Sequence, residues 1–371
     1  MSDSGPLGVP PDLKLRLEGA ARRPPFRGEA LDLLKTARAL DAFPSTGLAS
    51  LGLAEVHLTL GDAADAVTWA QIATDALAAE GDLPRALLAQ VVVARGQVRR
   101  LAVGDARETL RDVAVSTERL LGVEGSEDPL FFTLRGAFAL AAAELRLEAG
   151  ELDEAAPLYA DAREDLGAED AAALKVAALQ GLAVLAIFAQ ATQAAIDALR
   201  EASRLAHGRG ATSEVLEIGL ALTNQLIRAG EIEQATRLAA RNKARAQEVN
   251  HQAMVAAYGG AEALAQTFGR QGAAAVDAAL DALEAFARAG DPWGYTHMLT
   301  LVANGQLQQE DPEEAAMTLI TGAAALRAQG LPLHAELISR QLDDLRARLG
   351  DEAFEAVTAA IVLRLDAAEG A

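Results

Sequence analysis

The sequence predicts an all-α fold, an α-solenoid of about eight helical hairpins, on the strength of spacing, composition and length. A Gly followed by an acid recurs at Gly61-Asp62, Gly104-Asp105, Gly150-Glu151, Gly230-Glu231 and Gly350-Asp351, each time between two Ala- and Leu-rich stretches. The glycines are 43, 46, 80 and 120 residues apart, and weaker junctions at Ala191-Thr192, from Gly269 to Gly272, and at Glu310-Asp311 divide the long intervals into near-40 steps. A constant step of about 40 residues built from paired helices marks a stack in which each unit packs only on its neighbours. Apolar residues make up 51% of the chain but aromatics only 4%, so burial falls to Ala, Leu and Val. Ala and Leu are strong helix formers, and strand-forming runs are largely absent. At 371 residues the chain exceeds the roughly 250–300 at which a single core stops growing, which also favours a linear stack.

Residues 1–28 are rich in Gly, Pro and Arg, with Pro10-Pro11 and Pro24-Pro25 interrupting any long helix, and read as a flexible N-terminal arm. The solenoid then occupies 29–371. Glu29 to Phe43 places Leu31, Leu34, Ala37 and Leu40 on one face of an amphipathic helix that closes the stack, and Pro44 stops it. The expected pairs are 46–60 with 63–80, 83–103 with 105–122, 128–149 with 152–167, and 169–190 with 192–208. They continue as 212–229 with 231–249, 250–268 with 272–289, 292–309 with 312–329, and 332–349 with 351–367. The polar stretch GVEGSED at 122–128 is the candidate for a bend between two sub-stacks. Asp62, Asp105, Glu151, Glu231, Asp311, Glu313 and Asp351 open helices, where carboxylates cap free N–H groups and oppose the macrodipole. The apolar run from Val176 to Ala189 is too short to span a bilayer and reads as a helix buried on both sides.

A formal net charge of -20 repels phosphate backbones and anionic membranes, so neither nucleic acid nor membrane insertion is expected. The absence of Cys removes disulfides, thiolate metal sites and Cys nucleophiles. With no signal-peptide core near the N-terminus, the chain reads as cytoplasmic. His57, His207, His251, His297 and His334 are scattered without metal-ligand spacing. Gly208 to Gly210 and Gly259-Gly260 follow helices rather than strands, which is the wrong context for a phosphate loop. No nucleophile elbow occurs. The expectation is a non-enzymatic protein without cofactor or metal.

The segment GELDEAAPLYADA, with Gly150, Ala155, Tyr159 and Ala162, resembles the turn and second helix of a tetratricopeptide repeat, as does GEIEQATRLAARN. Gly61 with Ala66 and Trp69, and Gly230 with Ala235 and Leu238, fit the same template; Asp311 with Ala316 fits it loosely. The longer step and the missing Trp, Leu, Gly and Tyr signature of the first helix make the chain more similar to long-repeat bacterial variants of that family. The resemblance implies a right-handed superhelix whose first helices line a concave groove for peptides or protein segments.

On those first helices, six residues before each expected junction, stand Glu55, Val98, Glu144, Asn224, Asn304 and Asp344. Asn224 and Asn304 share an offset two repeats apart, and an Asn amide can both donate to and accept from an extended backbone. Flanking residues extend the candidate partner-binding set into two stripes, Glu217, Asn224 and Arg228, and His297, Thr300, Asn304 and Gln308. A solvated face opposite the apolar stripe explains such residues equally. The basic row Arg237, Arg241 and Arg245, with Lys243 beside it, could dock an acidic partner or pair with local acids, and Arg95, Arg99, Arg107 and Arg111 form a weaker row. The leading functional expectation is an adaptor that binds a peptide or protein segment. The alternatives are a sensor that changes pitch around a ligand and a repeat protein that self-associates as a homo-oligomer through its exposed ends.

Overall fold

The computed structural model describes residues 10–39, 46–121, 128–167 and 169–369, with side chains described as far as 364. Residues 1–9 of the expected arm, and 122–127 of the expected bend, lie outside the described residues. Among the described residues there are eighteen helices and no strand. In chain order they are α1 (Pro11–Arg22), α2 (Arg27–Ala39), α3 (Gly47–Leu60), α4 (Ala63–Ala79), α5 (Leu83–Arg99) and α6 (Val103–Leu121). Next come α7 (Pro129–Glu148), α8 (Leu152–Asp165), α9 (Ala172–Phe188), α10 (Thr192–Gly208), α11 (Thr212–Arg228) and α12 (Ile232–Glu248). The last six are α13 (Gln252–Phe268), α14 (Gly272–Ala289), α15 (Pro292–Gln308), α16 (Pro312–Ala328), α17 (Pro332–Leu349) and α18 (Asp351–Glu369). From α3 onward they fall into eight hairpins, with odd-numbered helices first.

The turns set the rhythm. From Gln190 to Gly350 a residue in the left-handed region stands every 20 positions, at 190, 210, 230, 250, 270, 290, 310, 330 and 350. At Gly230, for example, Gly230 N–H donates to Ile227 C=O and Glu231 N–H to Leu226 C=O, the paired bonds of a Schellman turn that satisfies the last carbonyls of the helix. The same pair of bonds closes α3 at Gly61, α5 at Leu101 and α7 at Gly150. Gly104 is not a junction, because it lies inside α6 and the turn is made by Leu101 at φ 59°.

The capping expectation needs correction at several acids. Asp62, Glu151 and Glu231 make no side-chain cap hydrogen bond. Asp62 instead lies 3.4 Å from His57, and Glu151 pairs with Arg146. Asp311 does cap, accepting from Glu314 N–H at 3.0 Å, and Asp82, Asp128 and Asp291 cap their helices in the same way. Within its first turn a carboxylate still opposes the helix dipole whether or not it bonds.

The chain divides into two compact units, residues 1–218 and 219–371. In the first, one core cluster joins Leu87, Val91 and Val98 to Leu134, Leu140, Tyr159, Leu174 and Leu185. Val98 is thus core rather than groove, 3% exposed. The repeat-template residues Ala66, Ala155 and Ala162 are buried, since small residues let the paired helices close on one another, and Tyr159 is buried with its ring packed against Gly181 of α9. The N-terminal residues correct another expectation, for over Pro11–Arg22 the arm is a docked helix. Leu13 and Leu17 of α1 are buried, and α1 lies so close to α3 that a Cβ at Gly52 would fall 1.8 Å from the Leu17 carbonyl oxygen. α9 is buried along one side only, with Val184 and Phe188 exposed. In the second unit, Met298, Leu301 and Val302 pack with α13 and α14, and Leu319, Leu326, Ile338 and Leu345 form the core of the last hairpins.

Candidate functional site

The first-helix side of the first unit carries a buried charged group. Arg95 of α5, 5% exposed, donates through Nε and Nη2 to the two carboxylate oxygens of Glu144 on α7, both at 2.9 Å. This fork is the strongest geometry a guanidinium offers a carboxylate. Glu55 of α3 is also buried, and burial pushes its carboxyl above the usual range while Arg95 and then Arg99 pull the other way. Arg99 donates to the Leu58 carbonyl, which holds it beside the group. Glu55, Arg95 and Glu144 occupy equivalent positions, each six residues before a left-handed junction at Gly61, Leu101 or Gly150. Counting from Gly104 put Val98 in that place; the missed residue is Arg95. Of the rest of that weaker row, Arg107 lies 3.6 Å from Glu151 and Arg111 3.7 Å from Glu108, so these are local pairs.

A stretch of the chain itself lies over this face. After α1, residues 23–26 leave the helix and Pro24 joins Glu55, Arg95, Leu51, Thr133 and Leu174 around a cavity of about 10 Å³, room for about one water. Thr59 Oγ1 donates to the Pro25 carbonyl at 3.3 Å, and Phe26 is buried. The stretch ends against acids far along the sequence. Arg23 lies 3.9 Å from Asp170, Arg27 donates its backbone N–H to Glu214, and the Arg27 guanidinium lies 3.3 Å from Glu217. Glu214 is half-buried; burial raises its carboxyl pKa, opposed by the Arg27 N–H, and its second oxygen is enclosed without a partner. The structure therefore brings Glu55 and Glu144 to one cluster and sets Glu217 of α11 against Arg27, at the end of the overlying stretch.

In the second unit, Asn224 and Arg228 are exposed. Thr300 and Asn304 of α15 line a cleft of about 20 Å³ with Gln341, Asp344 and Arg348 of α17, so the Asn304 and Asp344 offsets do meet. Thr300 already donates to the Thr296 carbonyl, and the exposed Gln308 donates to the Thr267 carbonyl at 2.8 Å, tying α15 to α13. His297 is exposed on one side, and desolvation of the remainder lowers its pKa. Arg237 lies 3.1 Å from Glu233 one turn earlier, and Lys243 3.6 Å from Glu262. Arg241 is exposed and Arg245 partly buried, so the basic row does not form one uniformly open patch.

A different feature, absent from the sequence reading, lies on the first unit between α8, α9 and α10. It is an open groove of about 700 Å³, walled by Leu152, Leu182, Leu185 and Phe188 and edged by Asp153, Arg163 and Glu201. Arg163 and Glu201 approach to 2.6 Å beside it. Among the described residues, no group of His, Asp or Glu could hold a metal ion, and no helix is long and apolar enough to cross a membrane.

No family model matches the chain, and no curated protein matches it. Solved structures do. The apo form of RapI superposes with a TM-score of 0.61 at 13% identity, over 83% of this chain and 99% of RapI. A Signal Transduction ATPase with Numerous Domains protein with a tetratricopeptide repeat sensor, from Pyrococcus horikoshii, superposes at 0.58 and 10% identity, over 84% of this chain and 46% of that one. The fold is a tetratricopeptide-like helical solenoid. At these identities the likeness extends to backbone architecture alone. The residues of the charged cluster and of the α8–α10 groove have to be read from this chain.

Proposed function

We propose that the protein is a non-enzymatic adaptor that holds a peptide or protein segment against its first helices. The observation that carries this reading is the stretch 23–27, non-helical from Arg23 to Phe26 and entering α2 at Arg27, seated on that face through backbone and side-chain contacts together. A face that grips its own chain through carboxylates has the means to grip another, because main-chain donors are common to every peptide. Glu55, Glu144 and Glu217 serve the first unit; Asn224, Arg228, His297, Thr300, Asn304 and Gln308 are the corresponding contacts proposed on the second. The test is selection of binders from a random peptide library on the immobilised chain, followed by Glu217→Ala and, separately, Asn224→Ala with Asn304→Ala. Selected peptides should bind these variants several-fold more weakly with helicity unchanged. Binding that ignores all three substitutions would remove the reading.

The α8–α10 groove favours a second reading, a sensor for a small apolar ligand, since its volume lies within the range of ligand sites. Small-angle scattering across a ligand screen would then show a change in radius of gyration, and an unchanged profile with every bound ligand would oppose it.

A further inference from the structure

We propose that Asp170, Glu214 and Glu217 form a subsite for an arginine-bearing, proline-containing extended peptide, filled in this structure by residues 23–27 of the same chain. The inference rests on the adaptor reading and specifies the partner's chemistry. The resident stretch runs Arg23, Pro24, Pro25, Phe26, Arg27, and each of its features meets a matching group. Arg23 faces Asp170 and Arg27 faces Glu217, so opposite charges are met at both ends. Pro24 and Pro25 donate no N–H, and Thr59 donates to the Pro25 carbonyl from α3. Phe26 is the apolar anchor, 5% exposed. Glu214 takes the Arg27 main-chain N–H, a contact indifferent to the incoming side chain.

The two arginine contacts of the resident stretch are weak. The side chains of Arg23 and Arg27 are 52% and 57% exposed, and their acids are similarly open. Exposed pairs of this kind contribute little and weaken with salt. Buried Phe26 and the docked α1 hold the stretch in place and give its two arginines a high effective concentration at the acids. A partner of the same chemistry competes for the same acids, and its apparent affinity is reduced by the fraction of time the resident occupies them.

The test uses the full chain and a fluorescein-labelled peptide with the sequence of residues 20–30, followed by fluorescence anisotropy. Arg23→Gln with Arg27→Gln should tighten its binding about three- to tenfold over the wild type, as the loss of two exposed pairs frees the subsite. Adding Asp170→Asn and Glu217→Gln should cancel the gain, and a control peptide with its arginines replaced by glutamine should bind none of the chains. In the wild-type protein, saturating peptide should speed amide exchange at Arg23, Phe26 and Arg27, a readout that needs no variant to fold. Equal binding of basic and glutamine peptides would overturn the acid subsite and leave the adaptor reading standing. Unchanged exchange at saturation would overturn displacement of the resident stretch. If no peptide binds any of these chains while library-selected peptides do, the subsite alone is refuted; if those fail as well, both are.

Discussion

Arg95→Met tests the energetics of the charged cluster most directly. Arg95 is almost wholly enclosed and meets Glu144 through two bonds of 2.9 Å. Removing it strands Glu144 and Glu55 together inside the first-helix face. Breaking a buried pair by deleting one partner costs about 3–5 kcal/mol. The Glu144 side chain is 19% exposed and Arg99 remains nearby, so the lower end applies, about 3 kcal/mol. Urea unfolding followed by circular dichroism reads this as a lower midpoint with an unchanged slope. The loss should shrink as pH falls. Burial already raises the Glu55 carboxyl and Arg95 is the first charge opposing that rise, so in the variant the stability Glu55 contributes is complete below the ordinary carboxylate range and disappears as pH rises through its raised value. A triple variant, Arg95→Met with Glu144→Leu and Glu55→Gln, should recover most of the loss, since an apolar replacement leaves no charge uncompensated. A single-variant loss under about 1 kcal/mol, or a triple variant no better than the single, would refute the view of this cluster as tightly coupled.

Three further outcomes follow from single positions. Glu55→Gln should stabilise the protein at neutral pH, because the folded pKa of Glu55 is raised and ionising it opposes folding; the difference from wild type should vanish near pH 4, about the ordinary carboxylate value, as seen in urea midpoints across pH. Gly219→Ala should cost about 1–3 kcal/mol in thermal or urea unfolding, because a Cβ there would stand 2.3 Å from Asn242 Nδ2 and 2.6 Å from Tyr258 Oη, groups that hydrogen-bond each other at 3.0 Å; adding Tyr258→Phe should return part of it. Leu101→Gly should stabilise by about 0.5–1 kcal/mol, since the side chain is 71% exposed and the backbone sits at φ 59°, where a non-glycine residue is strained; no gain in melting temperature would count against strain at that turn.

The helical architecture was legible because hairpin repetition leaves a periodic trace: the expected pairs from 192–208 to 332–349 match α10 to α17 within two residues at either end. The trace is fainter where the turn lacks glycine, and it failed at Leu101. Leu101, Gln190, Asn250, Arg270 and Glu310 adopt a left-handed backbone without being glycine, because the helix packing on either side dictates the turn and overrides local preference. Misplacing the second junction by three residues put Val98 at the first-helix position, so Arg95 was read only as part of a weaker basic row while Glu55 and Glu144 were found. Docking of α1 was hidden differently. Its Pro and Gly content suggested a loose arm, whereas Leu13 and Leu17 sit on one face and Gly52, an unremarked glycine on α3, permits the close approach. The contacts of Arg23 and Arg27 with acids some 150–190 residues later have no local signature at all.

The unbroken beat of 20 residues from Gln190 to Gly350 also bears on how this polypeptide can change length. Every joint from Gln190 to Gly330 closes with the same pair of backbone bonds, so a tandem copy of residues 231–270 placed after Arg270 would begin and finish on joints that its new neighbours already accept. Whole hairpins can be gained or lost there in the manner of links in a chain, whereas a single residue inserted within a helix would turn the rest of that helix's side chains by about 100° away from their contacts.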